Sequence, residues 1–175
     1  MNGDTRLVIA QIGKHETAHV AFLKTTINSL GGTPVAKPTF DFTATGVFAD
    51  VFSNPATFLA LAQAFEDTGV RAYKGQAANL LGNKDVLQAA LQIHSVEARH
   101  ASEVRRLRGS KGWITQSNNT SAPAAAAVYA GENNTTHLGV NATTVVTVDS
   151  NALTEAYDEI LTMTEVLAIA GLFIQ

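Results

Sequence analysis

Residues 15–19 read His-Glu-Thr-Ala-His and residues 96–100 read Val-Glu-Ala-Arg-His. Glu16-x-x-His19 and Glu97-x-x-His100 are the same i, i+3 pair occurring twice, each inside a stretch whose apolar residues recur at helical spacing. At 100° per residue, i and i+3 stand about 60° apart on one helix face, so each pair can present a carboxylate and an imidazole to a single ion. One such pair arises by chance in many helices. Two of them near helix midpoints, with the mid-helix Glu66 between them, form a stronger signal. Polar side chains on apolar helices also need an explanation, because burying them unpaired is costly.

The surrounding sequence supplies the helices. Leu7, Ile9, Ala10 and Ile12, then Val20, Leu23, Ile27 and Leu30, predict a first helix over about 4–30. Asp4 is its expected N-cap, and Gly31, Gly32 and Pro34 stop it. A second helix, about 55–81, starts with Asn54 as N-cap and Pro55 at the first helical position. Phe58, Leu59, Ala62, Phe65, Val70 and Tyr73 make its apolar side. The turn Gly82-Asn83-Lys84 leads into a third helix, about 85–108, and so short a turn predicts antiparallel neighbours. Glu66 lies 11 residues past Pro55 and Glu97 lies 12 past Asp85, so the two carboxylates are expected at one level. Arg105, Arg106 and Arg108 fall in the last turn, where cations complement the helix dipole. The crossover 31–54 carries Phe40, Phe42, Phe48 and Phe52, too many aromatics for a flexible linker, and is expected to pack on the bundle.

Beyond Gly109 the composition turns to Ser, Asn, Thr, Ala and Gly, with Asn-x-Thr triplets at Asn118, Asn133, Asn134 and Asn141. These are glycosylation acceptors only in a secreted eukaryotic protein. The β-branched run Thr143–Val148 predicts one short strand. Thr162-x-x-Glu165 is a capping box ahead of an apolar run, so the chain is expected to close on a helix. The fold class is therefore all-α: an antiparallel bundle with three long helices over 1–108, then an irregular extension, 109–175, ending in a short helix.

Composition excludes several functions. With no cysteine among 175 residues, thiolate zinc sites, iron–sulfur clusters and cysteine nucleophiles are out. A pI near 5.9 argues against nucleic-acid binding, and the arginines at 105–108 are explained by the helix end. No apolar run reaches the roughly 20 residues of a membrane span, and the N-terminus has no signal-peptide pattern. Residues 15–19 also match HExxH, the zinc-hydrolase motif in which His15 and His19 bind zinc and Glu16 is the base. That reading lacks a downstream third ligand, since Val20-Ala21-Phe22-Leu23 follows. A blander alternative leaves Glu16 and Glu66 facing solvent, with His19 and His100 as satisfied core histidines. His94 reads as core or as support for a ligand, His137 has no ligand pair nearby, and Tyr73 and Trp113 read as packing residues.

Paired Glu-x-x-His motifs with added glutamates form the ligand pattern of ferritin-like di-iron and di-manganese proteins, and carboxylate with imidazole suits those ions. HETAHVAFL, the following LGG with its prolines, FEDTGVRAYKG and VEARHASEVRRLRG resemble the ferritin-like domain of the desiccation-related protein family; the tail AYDEILTMTEVLAIAGLFI does so less specifically. The resemblance implies a dinuclear iron or manganese centre reacting with O₂ or peroxide. Glu16 and Glu97 would bridge the metals, His19 and His100 would each bind one, and Glu66 would be a terminal ligand. It also implies a further helix with one more glutamate, roughly thirty residues before Glu16. The bundle is thus expected to lack its first helix. Three explanations are open: the sequence is a truncated form, a second chain in a homo-oligomer completes the bundle, or the C-terminal helix with Glu155, Asp158, Glu159 or Glu165 does so. The resemblance further implies export to the periplasm or beyond the cell. A stress-associated structural protein with an empty centre is the alternative.

Overall fold

Helix α1 spans Gly3–Ser29, and its N-cap is Asn2, whose side-chain oxygen accepts the Thr5 N–H at 2.8 Å. Asp4, expected as the cap, lies instead in the first turn, where its charge meets the positive end of the helix dipole. The helix closes at Leu30, and Gly31 takes the left-handed φ of +78° that ends it. These details come from a computed structural model that describes residues 1–117 and 123–175. The Asn118 triplet lies outside the described residues.

The chain divides into two compact units, Met1–Phe40 with Ile174–Gln175, and Asp41–Phe173. In the first, α1 is followed by a connection whose Phe40 makes an antiparallel bridge with Ile174. Thr5 and Ile12 are buried on α1, with His15, Glu16, His19 and Leu23 less exposed than their neighbours, in one stripe. Leu7, Val20, Phe22 and Leu30 are exposed.

The second unit begins with the aromatic crossover. Phe48 stacks on Phe173 with ring centroids 6.0 Å apart, and Phe65 meets Phe173 edge-on at 4.8 Å. Ala44, Val51 and Leu61 complete this cluster. Asn54 caps α2 (Pro55–Gln76) through the Ala56 N–H at 3.0 Å. Regular α-helix stops at Gln76, and a 3-10 turn, Ala77–Leu80, carries the chain on to Asn83, the cap of α3 (Lys84–Leu107). Gly69 faces Glu97, Glu66 meets His100, Asp67 meets Arg105 and Gln63 meets Arg108. Partners descend α2 as they ascend α3, so the helices are antiparallel.

The stretch after Gly109 belongs to this second unit. A 3-10 segment, Pro123–Tyr129, precedes a small hairpin of β1 (Thr136–His137) and β2 (Val140–Asn141). Leu138 and Gly139 at its tip have φ of +52° and +80°, matching the strand twist. The expected strand at Thr143–Val148 does not form. Asn141 instead caps a 3-10 turn, Ala142–Thr144, and the rest of the run is exposed. β-branched residues favour a strand only where a partner strand and a face to bury exist. Helix α4 (Ser150–Thr154) and helix α5 (Met163–Gly171) follow, and α5 carries the complete Thr162/Glu165 capping box.

Between α4 and α5 the chain lies along α2. The Leu161 N–H donates to the Arg71 carbonyl at 3.2 Å, and Leu161 joins Ala64, Val128, Tyr129 and Ile169 in a buried cluster. At Gly75 this approach is very close, since a Cβ there would stand 2.0 Å from the Leu161 carbonyl oxygen. Gly75→Ala is therefore expected to cost about 1–3 kcal/mol, as overpacking does. Gly82→Ala, which meets nothing within 4 Å, is expected to leave stability within about 0.5 kcal/mol. Urea unfolding of both variants checks this.

Candidate metal centre

Glu66 on α2 and Glu97 and His100 on α3 converge. His100 Nδ1 is 3.2 Å from Glu66 Oε2 and 3.4 Å from Glu97 Oε2. Each residue offers one ligand atom within 4.8 Å of the others. The side chains are 6% (His100), 12% (Glu66) and 6% (Glu97) exposed, so water screens little of their charge. Gly69 packs beside them, and a Cβ there would meet the Glu97 side chain in ordinary contact at 3.7 Å. Two buried carboxylates facing one imidazole carry excess negative charge, which a divalent cation balances. Carboxylate oxygen and imidazole nitrogen suit iron and manganese, so the donor set fits the group implied by the sequence.

In the first unit, Glu16 and His19 meet on α1, with His19 Nδ1 3.4 Å from Glu16 Oε1. His15, the other histidine of HExxH, accepts from the Gln11 amide at 2.8 Å. The C-terminal carboxylates considered as replacements have neighbours in the second unit. Glu155 accepts from Lys111 and Thr115, Asp158 pairs with Lys74, Glu159 with Asn134, and Glu165 closes its capping box. His137, read as isolated, stacks on Tyr157 at 3.7 Å and approaches Glu159 at 3.5 Å. His94, one turn before Glu97, is held below the usual imidazole range by partial burial and by Lys74.

A second polar layer, unread in the sequence, lies beside the ligands. Asp67 Oδ2 accepts from Arg105 at 2.5 Å and from the Tyr129 hydroxyl at 2.7 Å. The Tyr129 hydroxyl in turn accepts from Gln63 at 2.8 Å, and Arg108 donates to Gln63 Oε1. Arg105, which lies in the last turn of α3 as expected, is 3% exposed and gives its charge to Asp67. Burial raises the Asp67 pKa against the pull of Arg105, and burial with the Asp67 charge raises that of Tyr129. One turn further, Arg71 pairs with Glu132 at 3.0 Å, both side chains 1% exposed. The available signal was the i, i+4 run Gln63, Asp67, Arg71, a polar stripe on a helix otherwise rich in apolar residues.

The pattern of the ferritin-like domain family matches residues 1–110. The chain belongs to that family. No curated protein and no solved structure matches it. Among the described residues, no helix is long and apolar enough to cross a membrane.

Glu132 gives this unit a pH dependence. Burial pushes its carboxyl up from 4.5 to about 7 against the pull of Arg71, and among the described residues its buried Oε2 has no hydrogen-bond partner. Between those values the folded chain holds a proton that the unfolded chain has released, so stability falls as pH rises through the window. Glu132→Gln is expected to flatten that decline, which urea midpoints of both proteins at pH 5 and pH 7.5 will show.

Proposed function

We propose that the chain holds a dinuclear iron or manganese centre through Glu16, His19, Glu66, Glu97 and His100, and that it turns this centre on O₂ or peroxide in a stress- or desiccation-related role. The buried meeting of Glu66, Glu97 and His100 carries the reading. Glu16 and His19 join it on two grounds: they repeat the Glu-x-x-His spacing, and residues 1–110 match a ferritin-like domain. The metal, when bound, supplies the redox chemistry.

The protein's own contribution is electrostatic and geometric. Glu66 and Glu97 provide compensating charge, and His100 gives a neutral nitrogen donor. The Asp67–Arg105–Tyr129 hydrogen bonds hold α2 and α3 in the register that keeps Glu66 opposite His100. Low exposure of the trio keeps bulk water from competing for the ligand atoms.

A second reading, a structural protein with the centre empty, has one observation in its favour. His100 Nδ1 stands near both carboxylates, so a protonated imidazole satisfies them without an ion. Metal content separates the two. After loading with Fe(II) or Mn(II) under argon, mass spectrometry is expected to find about two ions per chain, falling well below one in Glu97→Ala and His100→Ala. Near-zero metal in the unaltered protein overturns the metal reading. Zinc with peptidase activity lost in Glu16→Gln would favour the hydrolase motif instead.

We also propose a homo-oligomer, supported by the exposed Leu7, Val20, Phe22 and Leu30 of α1. Light scattering is expected to give a mass at least twice the 18.4 kDa of one chain, and a monomer at micromolar concentration refutes it.

A further inference from the structure

A cavity of about 240 Å³ opens within the second unit, between the α2–α3 pair and the extension. Its helical wall includes Asp67, Ala98 and Ala101, each one residue after a ligand of the candidate metal centre, and so about 100° round its helix. The proposed metal chemistry makes no use of this space. At ~30 Å³ per water it has room for about eight waters, enough for a molecule with a single six-membered ring.

The lining states what would fit. Asp67, Glu155 and Asp158 contribute three carboxylates to the wall, against the single guanidinium of Arg105. The lysines paired with Glu155 and Asp158, Lys111 and Lys74, are not part of the lining, and Lys111 has a side chain 60% exposed. Trp113 and Tyr157 stand at the cavity 53% and 41% exposed. Aromatic faces beside carboxylates attract organic cations.

We propose that this cavity binds a small organic ammonium ion, an amine with a compact apolar body, between Trp113, Tyr157 and the Glu155 and Asp158 carboxylates. The site requires no metal, and its test is independent of the metal reading.

Trp113 is the sole tryptophan of the chain, so its emission reports on this cavity alone. The full-length chain is titrated with 2-phenylethylammonium, with neutral 2-phenylethanol and with anionic phenylacetate at one pH and ionic strength. The ammonium ion is expected to give a saturable change, with the other two at least about tenfold weaker. Glu155→Gln, which keeps the size and shape of the side chain and removes its charge, is expected to weaken the ammonium about tenfold. Ala98→Leu, or Ala101→Val should the first fail to fold by circular dichroism, is expected to abolish binding by filling the space, with metal content unchanged. Absent saturation, equal affinity for the three probes, or unaltered binding in the filled variant each overturns the proposal.

Discussion

The Arg71 guanidinium sits with 1% of its side chain exposed, and a buried charge of this kind is tolerated only when its donors are met. Five N–H groups in a fixed fork need acceptors. Nε donates to the Glu159 carbonyl with the Glu132 carboxylate 3.0 Å away, Nη1 donates to Val128, and Nη2 donates to Ala130 and Ile160. The acceptors come from two separate stretches of the extension, so one side chain on α2 fixes where both must run. Lys74, one turn on, repeats the arrangement at the surface with Asp158. Gly75 clears the path at Leu161. A segment rich in Ser, Asn and Ala, which also buries Ile114, Val128, Tyr129, Leu161 and Ile169, thereby gains a defined course.

The same economy governs the α2–α3 pair, which uses adjoining faces for different tasks. Glu66, Glu97 and His100 point to one place, while Asp67 and Arg105 lock the helices together a quarter-turn away. Because the two sets alternate along the same helices, the lock also sets the separation of the ligands. Arg105 and Tyr129 both donate to the buried Asp67 carboxyl, and Tyr129 belongs to the extension. The ordering of the extension therefore reaches back to the ligand geometry through a single phenolic hydroxyl.

Much of this was legible. The caps at Asn54 and Thr162, the tight turn at Gly82–Lys84 and the apolar spacing of α2 and α3 are local features, and local backbone chemistry suffices to read them. Where two caps competed, as with Asn2 and Asp4, the outcome depended on which side chain reached a free N–H, a matter of one residue. Thr143–Val148 failed as a strand because strand formation is a property of a pair. Arg105 was read only as a complement to the helix dipole; its partner lies 38 residues away on another helix, and no local pattern announces it.

Helix positions, the repeated Glu-x-x-His and the level of Glu66 against Glu97 followed from the sequence alone, because helical periodicity and turn length determine which residues share a face. Three things only the tertiary structure decided: which carboxylates reach His100, the buried polar layer behind them, and the cavity walled by the extension. Each joins residues tens of positions apart. Their pairing is set by the need to satisfy buried charge, and that need arises only when the chain has packed.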